Sequence, residues 1–160
     1  MISKRVIIGK IIEQLTEQLA TLAGASRAMH ADASDEQSKA EDKYDTRGLE
    51  TAYLASSQAR LATETEQALA TYQSLELRKF PKDAPIDVTA LVELDRRGES
   101  VWYFLGPKSG GMEIRHKGTE VLVITPESPL GCQLIGRKVG DRIEFQTRGP
   151  VQEFRVISVT

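Results

Sequence analysis

Between residues 32 and 45 the chain carries Asp32, Asp35, Glu36, Glu41, Asp42 and Asp45, six of its 23 acidic residues. Carboxylates crowded in this way repel by about 1 kcal/mol per contacting pair even in water, and by more in a dry site. The stretch therefore suits a metal ion or a positively charged cavity. The alternative is a solvated turn between helices, the usual fate of a charge run, and composition alone leaves both open. Other reactive side chains are sparse. His30 and His116 have no second histidine or cysteine near them in sequence and read as surface residues. Ser128 lacks the flanking glycines of a nucleophile elbow and sits where a helix cap belongs. Cys132 is the only cysteine, so an internal disulfide or a cysteine-based zinc cluster is excluded, and its Gly-Cys-Gln-Leu setting reads as packing.

Two helical segments flank the acids and carry only Glu13, Glu17, Glu50, Glu64, Glu66 and Glu76 of their own. In the first, Ile8, Ile12, Leu15, Leu19, Leu22, Ser26 and Met29 alternate in steps of four and three, the spacing of a helix-on-helix seam. Ser3 is its N-cap, and a helix from there to Ala33 would be about 45 Å long, too long to stand without a partner. The second segment supplies one through Leu54, Gln58, Leu61, Thr65, Ala68, Tyr72 and Leu75, ending at Phe80-Pro81, where proline disfavours helix. Paired antiparallel, the two helices gather the acids at the tip of a rod. Gln58, Thr65 and the alanines Ala52, Ala55, Ala59 and Ala62 bury little apolar area, so the tip is the looser end.

Composition changes at Pro81. Beyond it come short β-branched and aromatic runs punctuated by glycine and proline. Residues 88 to 94, 100 to 105, 120 to 125, 141 to 147 and 152 to 159 read as strands. Ser128 and Pro129 open a short helix over 130 to 135, which Gly136 stops. The expected fold class is α+β, with a hairpin over 1–80, a linker over 81–85 and an antiparallel sheet domain over 86–160. The net charge of −2, with eleven acids against eleven bases after Pro81, disfavours broad electrostatic binding to duplex nucleic acid and favours a protein partner. No apolar run approaches a secretory core or the ~20 residues of a membrane span, and a cytoplasmic location without membrane contact is expected.

Ile124-Thr125-Pro126-Glu127-Ser128-Pro129-Leu130-Gly131-Cys132-Gln133-Leu134-Ile135-Gly136, followed by Gly140-Asp141, resembles the strand, Ser-Pro, short helix and Leu-Ile-Gly stretch of the bacterial GreA/GreB transcript-cleavage factors. With the acid-tipped hairpin, the resemblance covers nearly the whole chain. It implies an FKBP-like C-terminal domain that grips RNA polymerase at the rim of its secondary channel, with Glu127, Ser128 and Pro129 in the contacting loop. It also implies a hairpin that enters the channel, where tip carboxylates help hold Mg²⁺ so that the polymerase hydrolyses a backtracked RNA; the factor stimulates that reaction and is not itself the enzyme. The family tip has a Gly-Asp-Leu-Lys-Glu-Asn-Ala-Glu-Tyr-like stretch with its two key acids three residues apart. Its counterpart here is Glu41-Asp42-Lys43-Tyr44-Asp45, in which Asp42 and Asp45 keep the spacing and Glu41 is an additional metal-supporting candidate. Two other readings stay open: a regulator that occupies the channel without cleavage, and, from the FKBP-like fold alone, a peptidyl-prolyl isomerase.

Overall fold

The structure, a computed structural model, describes residues 2–33, 47–146 and 149–160. The chain divides into two compact units, Ile12–Gln73 and Met1–Ile11 together with Ser74–Thr160. Among the described residues no helix is long and apolar enough to cross a membrane.

The helical unit is a hairpin of α1, Lys4–Ala33, and α2, Arg47–Gln73. Ser3 starts α1 as its composition predicts: the amide of Val6 reaches its hydroxyl at 3.4 Å and the amide of Ile7 its carbonyl at 3.2 Å. Gln14, Gln18 and Leu22 of α1 line one groove with Leu61 and Thr65 of α2. Leu15, Thr65 and Ala68 are buried. A buried threonine is tolerated in such a seam because its hydroxyl turns back onto its own helix; that of Thr65 donates to the Leu61 carbonyl at 2.7 Å. Farther along α2 the seam thins as expected. Leu61 and Leu54 are 50% and 52% exposed, and the Gln58 amide oxygen is a buried acceptor without a partner among the described residues.

Two details of the helices differ from the periodicity. At the start of α1 Ile8 is buried as the spacing predicts, but Ile7 and Ile11 are fully buried and Ile12 is only half-buried; these first turns belong to the sheet unit. The second helix stops at Gln73 instead of continuing to Phe80. Tertiary structure overrides local propensity here, because the amide of Arg78, which a longer helix would have used, donates to the Thr89 hydroxyl at 3.1 Å.

The sheet unit holds six strands: β1 Leu91–Arg96, β2 Glu99–Leu105, β3 Glu113–His116, β4 Thr119–Ile124, β5 Arg142–Phe145 and β6 Gln152–Val159, with α3, Pro129–Leu134, between β4 and β5. Their order across the sheet is β3-β4-β2-β1-β6-β5. The α+β class is as expected, but the sheet is not wholly antiparallel, since β2 and β4 run parallel with Trp102 opposite Val121. The cause is β3, absent from the sequence reading. It forms a tight hairpin with β4 through Lys117 and Gly118, at φ 47° and 79°, a type I′ turn suited to strand twist. Inserting that edge hairpin lays β4 beside β2 in the same direction. Arg97 and Gly98, at φ 54° and 89°, make the like turn between β1 and β2.

Val92, Leu94, Leu105, Ile124, Ile143, Phe154 and Val156 form one core face, packed with Leu130 and Leu134 of α3. Leu91, Phe104, Ile114, Val121 and Val123 alternate to the other face and are also buried. Coverage on both sides explains the nearly continuous apolar run Val121-Leu122-Val123-Ile124.

Candidate functional site

Glu41, Asp42 and Asp45, with Asp35 and Glu36, lie outside the described residues. Asp32 falls in the last turn of α1. Among the described residues no cluster of histidine, cysteine, aspartate or glutamate could hold a metal ion. The other expected site, Glu127-Ser128-Pro129, is described in full.

That loop begins where β4 ends. The Ser128 amide donates to the Thr125 carbonyl at 3.0 Å, closing a turn over Pro126 and Glu127. The Ser128 hydroxyl then does two things. It donates to the same Thr125 carbonyl at 2.7 Å and accepts from the Gly131 amide at 3.1 Å, capping α3. Pro129 takes the first helical turn, where its missing N–H costs nothing and its fixed φ is already helical. Gly131 is required for a different reason from turn glycines. A Cβ there would stand 1.9 Å from the Thr125 carbonyl oxygen and 2.7 Å from the Ser128 hydroxyl, so the loop and helix touch backbone to backbone.

The far end of α3 is tied as firmly. Ile135 donates to the Gly131 carbonyl at 3.0 Å, Gly136 to Ile86 at 2.9 Å, and Ile86 back to Arg137 at 2.7 Å. With Leu130 and Leu134 in the core, the loop and helix present Glu127, Pro129, Cys132 and Gln133 to solvent, followed by the exposed Ile135, Arg137, Lys138 and Val139. Cys132 is exposed, contrary to its packed reading; its thiol points back along the turn and donates to the Pro129 carbonyl at 3.2 Å. Of the three predicted partner-contacting residues, Glu127 and Pro129 offer free surface. Ser128 is half-buried, with its hydroxyl committed to loop shape.

A cluster that the sequence reading missed lies around Arg78. Its guanidinium pairs with Asp87, its carbonyl accepts from the Lys4 ammonium, and the Phe80 ring lies 4.8 Å from the Lys4 ammonium and 5.7 Å from the Arg78 guanidinium carbon. Partial burial lowers the Lys4 pKa. The Asp87 carboxyl is held below its ordinary pKa by the Val88 amide and then by Arg78. Nothing in the local sequence signals this cluster, because its members are joined only by the fold. On the sheet surface, Asp95, Arg97, Arg142, Glu144, Glu153 and Arg155 line an open groove of about 530 Å³. Opposite charges interleave there, as in the 3.0 Å pair of Arg142 with Glu153, so the groove presents no single sign to a ligand. His116, half-buried, ends β3.

Residues 88–160 match the family described as "Transcription elongation factor, GreA/GreB, C-term". Over 37 residues the chain is 46% identical to transcription elongation factor GreA of Thermotoga neapolitana, a stretch covering 23% of this chain and 24% of that protein. The match thus spans about a quarter of that relative's length. Among solved structures, GreA factor homolog 1 of Thermus thermophilus is 19% identical over 93% of this chain and 94% of its own, with a TM-score of 0.40. The GreA/GreB factor of Nitrosomonas europaea is 22% identical over 60% of this chain and 78% of its own, with a TM-score of 0.39.

Proposed function

We propose that this chain, whose residues 88–160 match the C-terminal model of the GreA/GreB transcription elongation factors, is a factor of that kind, which binds RNA polymerase and stimulates hydrolysis of backtracked RNA. The observation that carries the reading is the family match of residues 88–160, which includes the α3 loop. In this reading the loop docks on the rim of the polymerase secondary channel. Glu127 and Pro129 make contact, while Ser128 and Gly131 hold the loop in shape. The hairpin then delivers its acids into the channel.

Asp42 and Asp45, three residues apart, with Glu41 beside them, supply hard oxygen donors of the type Mg²⁺ selects. With these carboxylates and the polymerase holding it jointly, the ion would supply the Lewis acidity that activates water and stabilises the leaving oxygen. The chain contributes charge in trans; the active centre is the polymerase's own.

The test is to add purified protein to stalled, backtracked elongation complexes with Mg²⁺ and measure RNA length. Shortened transcripts support the reading. Intact transcripts, together with blocked cleavage by an active Gre factor, would replace it with that of a channel-occupying regulator. The tip sequence Glu41-Asp42-Lys43-Tyr44-Asp45, which departs from the family stretch around its acids, is the feature that favours this rival.

A further inference from the structure

Thr89 occupies the third position of the turn Asp87–Ala90, closed by the Ala90 amide on the Asp87 carbonyl at 3.0 Å, with φ at 76°. That position of a type II turn calls for glycine or asparagine. A β-branched residue there is a true outlier, and such strain persists only where its surroundings over-determine it. Thr89 is 2% exposed. Its amide donates to the Leu105 carbonyl at 2.8 Å, and its hydroxyl accepts the Arg78 amide at 3.1 Å. Two residues earlier, Asp87 uses one carboxylate oxygen to accept from the Val88 amide at 2.8 Å and the other to pair with the Arg78 guanidinium. The strained turn thus grips Arg78 by backbone and side chain together. Glycine would satisfy the turn and drop the backbone grip, which accounts for a hydroxyl-bearing residue in an unfavourable conformation.

We propose that Asp87 and Thr89 form a latch that fixes the backbone course of residues 74–80, with Arg78 the residue held.

Amide exchange by NMR on the full chain tests it directly. Thr89→Val keeps the shape and removes the hydroxyl, so the Arg78 amide should exchange about tenfold faster, the equivalent of one hydrogen bond of ordinary net strength, while Leu91 and Leu94 keep their protection. Thr89→Ser should restore parental exchange at Arg78. Should the valine variant fail to fold, Asp87→Asn at the more exposed end should still speed Arg78 exchange. Unchanged Arg78 protection in these variants overturns the latch. So does equal loss at Leu91 and Leu94, which would mark general loosening.

Discussion

Gly131→Ala adds one methyl group and should be among the most damaging single changes in the sheet unit. The new Cβ would lie 1.9 Å from the Thr125 carbonyl oxygen, 2.9 Å from its carbon and 2.7 Å from the Ser128 hydroxyl oxygen, against the roughly 3.5 Å at which such atoms pack. Relief requires the loop to move away from α3 by more than an ångström. Overpacking of this kind costs about 1–3 kcal/mol. The movement also breaks the Ser128 cap, whose loss costs about 0.5–2 kcal/mol. A total near 3 kcal/mol, in a unit of roughly a hundred residues, lowers the melting midpoint by about 12–24 °C at 4–8 °C per kcal/mol. Gly24→Ala is the matched control. It lies within α1 with nothing within 4 Å of its new Cβ, and should stabilise by about 0.5–1 kcal/mol through helix propensity. Scanning calorimetry of the two variants decides the matter. A Gly131→Ala midpoint within 2 °C of the parent, or a Gly24→Ala loss of equal size, would refute the reasoning that α3 is seated backbone to backbone.

Leu15→Ala, at 2% exposure, should cost about 2–5 kcal/mol, whereas Leu61→Ala, half exposed, should cost well under half as much; equal losses in urea titration would contradict the thinning seam. Asp42→Asn and Asp45→Asn should each reduce RNA cleavage about tenfold or more, as loss of metal support does, with polymerase affinity nearly intact. A uniform decline over all six acids between residues 32 and 45 would indicate bulk electrostatics instead. Because the Asp87 pKa is lowered in the fold from 3.8, its stabilising contribution is full above that value and fades as pH falls through the folded pKa. Its side chain is 44% exposed, so the contribution is under about 1 kcal/mol. Acid titration should therefore show Asp87→Asn slightly less stable than the parent at pH 6 and indistinguishable at pH 2.

Much of the fold was legible where one interaction dominates. The Ser128-Pro129 helix start could be read because cap and proline act within a single turn. The Arg97-Gly98 hairpin was legible for the same reason. β3 was not, since Glu113-Ile114-Arg115-His116 offers one apolar residue and an edge strand needs little more; the Lys117-Gly118 pair was the available signal. The end of α2 was misplaced because Arg78 is captured by Thr89, eleven residues on, a contest between local and tertiary hydrogen bonds that periodicity does not register. At the α3 loop the sequence identified the residues but not their division of labour, because whether the Ser128 hydroxyl faces a partner or its own backbone depends on Gly131 and Thr125.

The place of β1 between β2 and β6 has a consequence for how the protein is made. Leu91 and Thr160 exchange amide hydrogen bonds of 2.9 and 3.0 Å, extending the β1–β6 ladder beyond Val159. Chains emerge from the ribosome N-terminus first, and β6 follows β1 only after β2, β3, β4, α3 and β5 have been made. Until then one edge of β1 is an open template for pairing with other chains, and Val92 and Leu94 lack their β6 neighbours. Closure waits on a long-range contact, the slow kind. A translation product interrupted before Gln152 would keep the hairpin sequence intact while leaving the sheet unfinished.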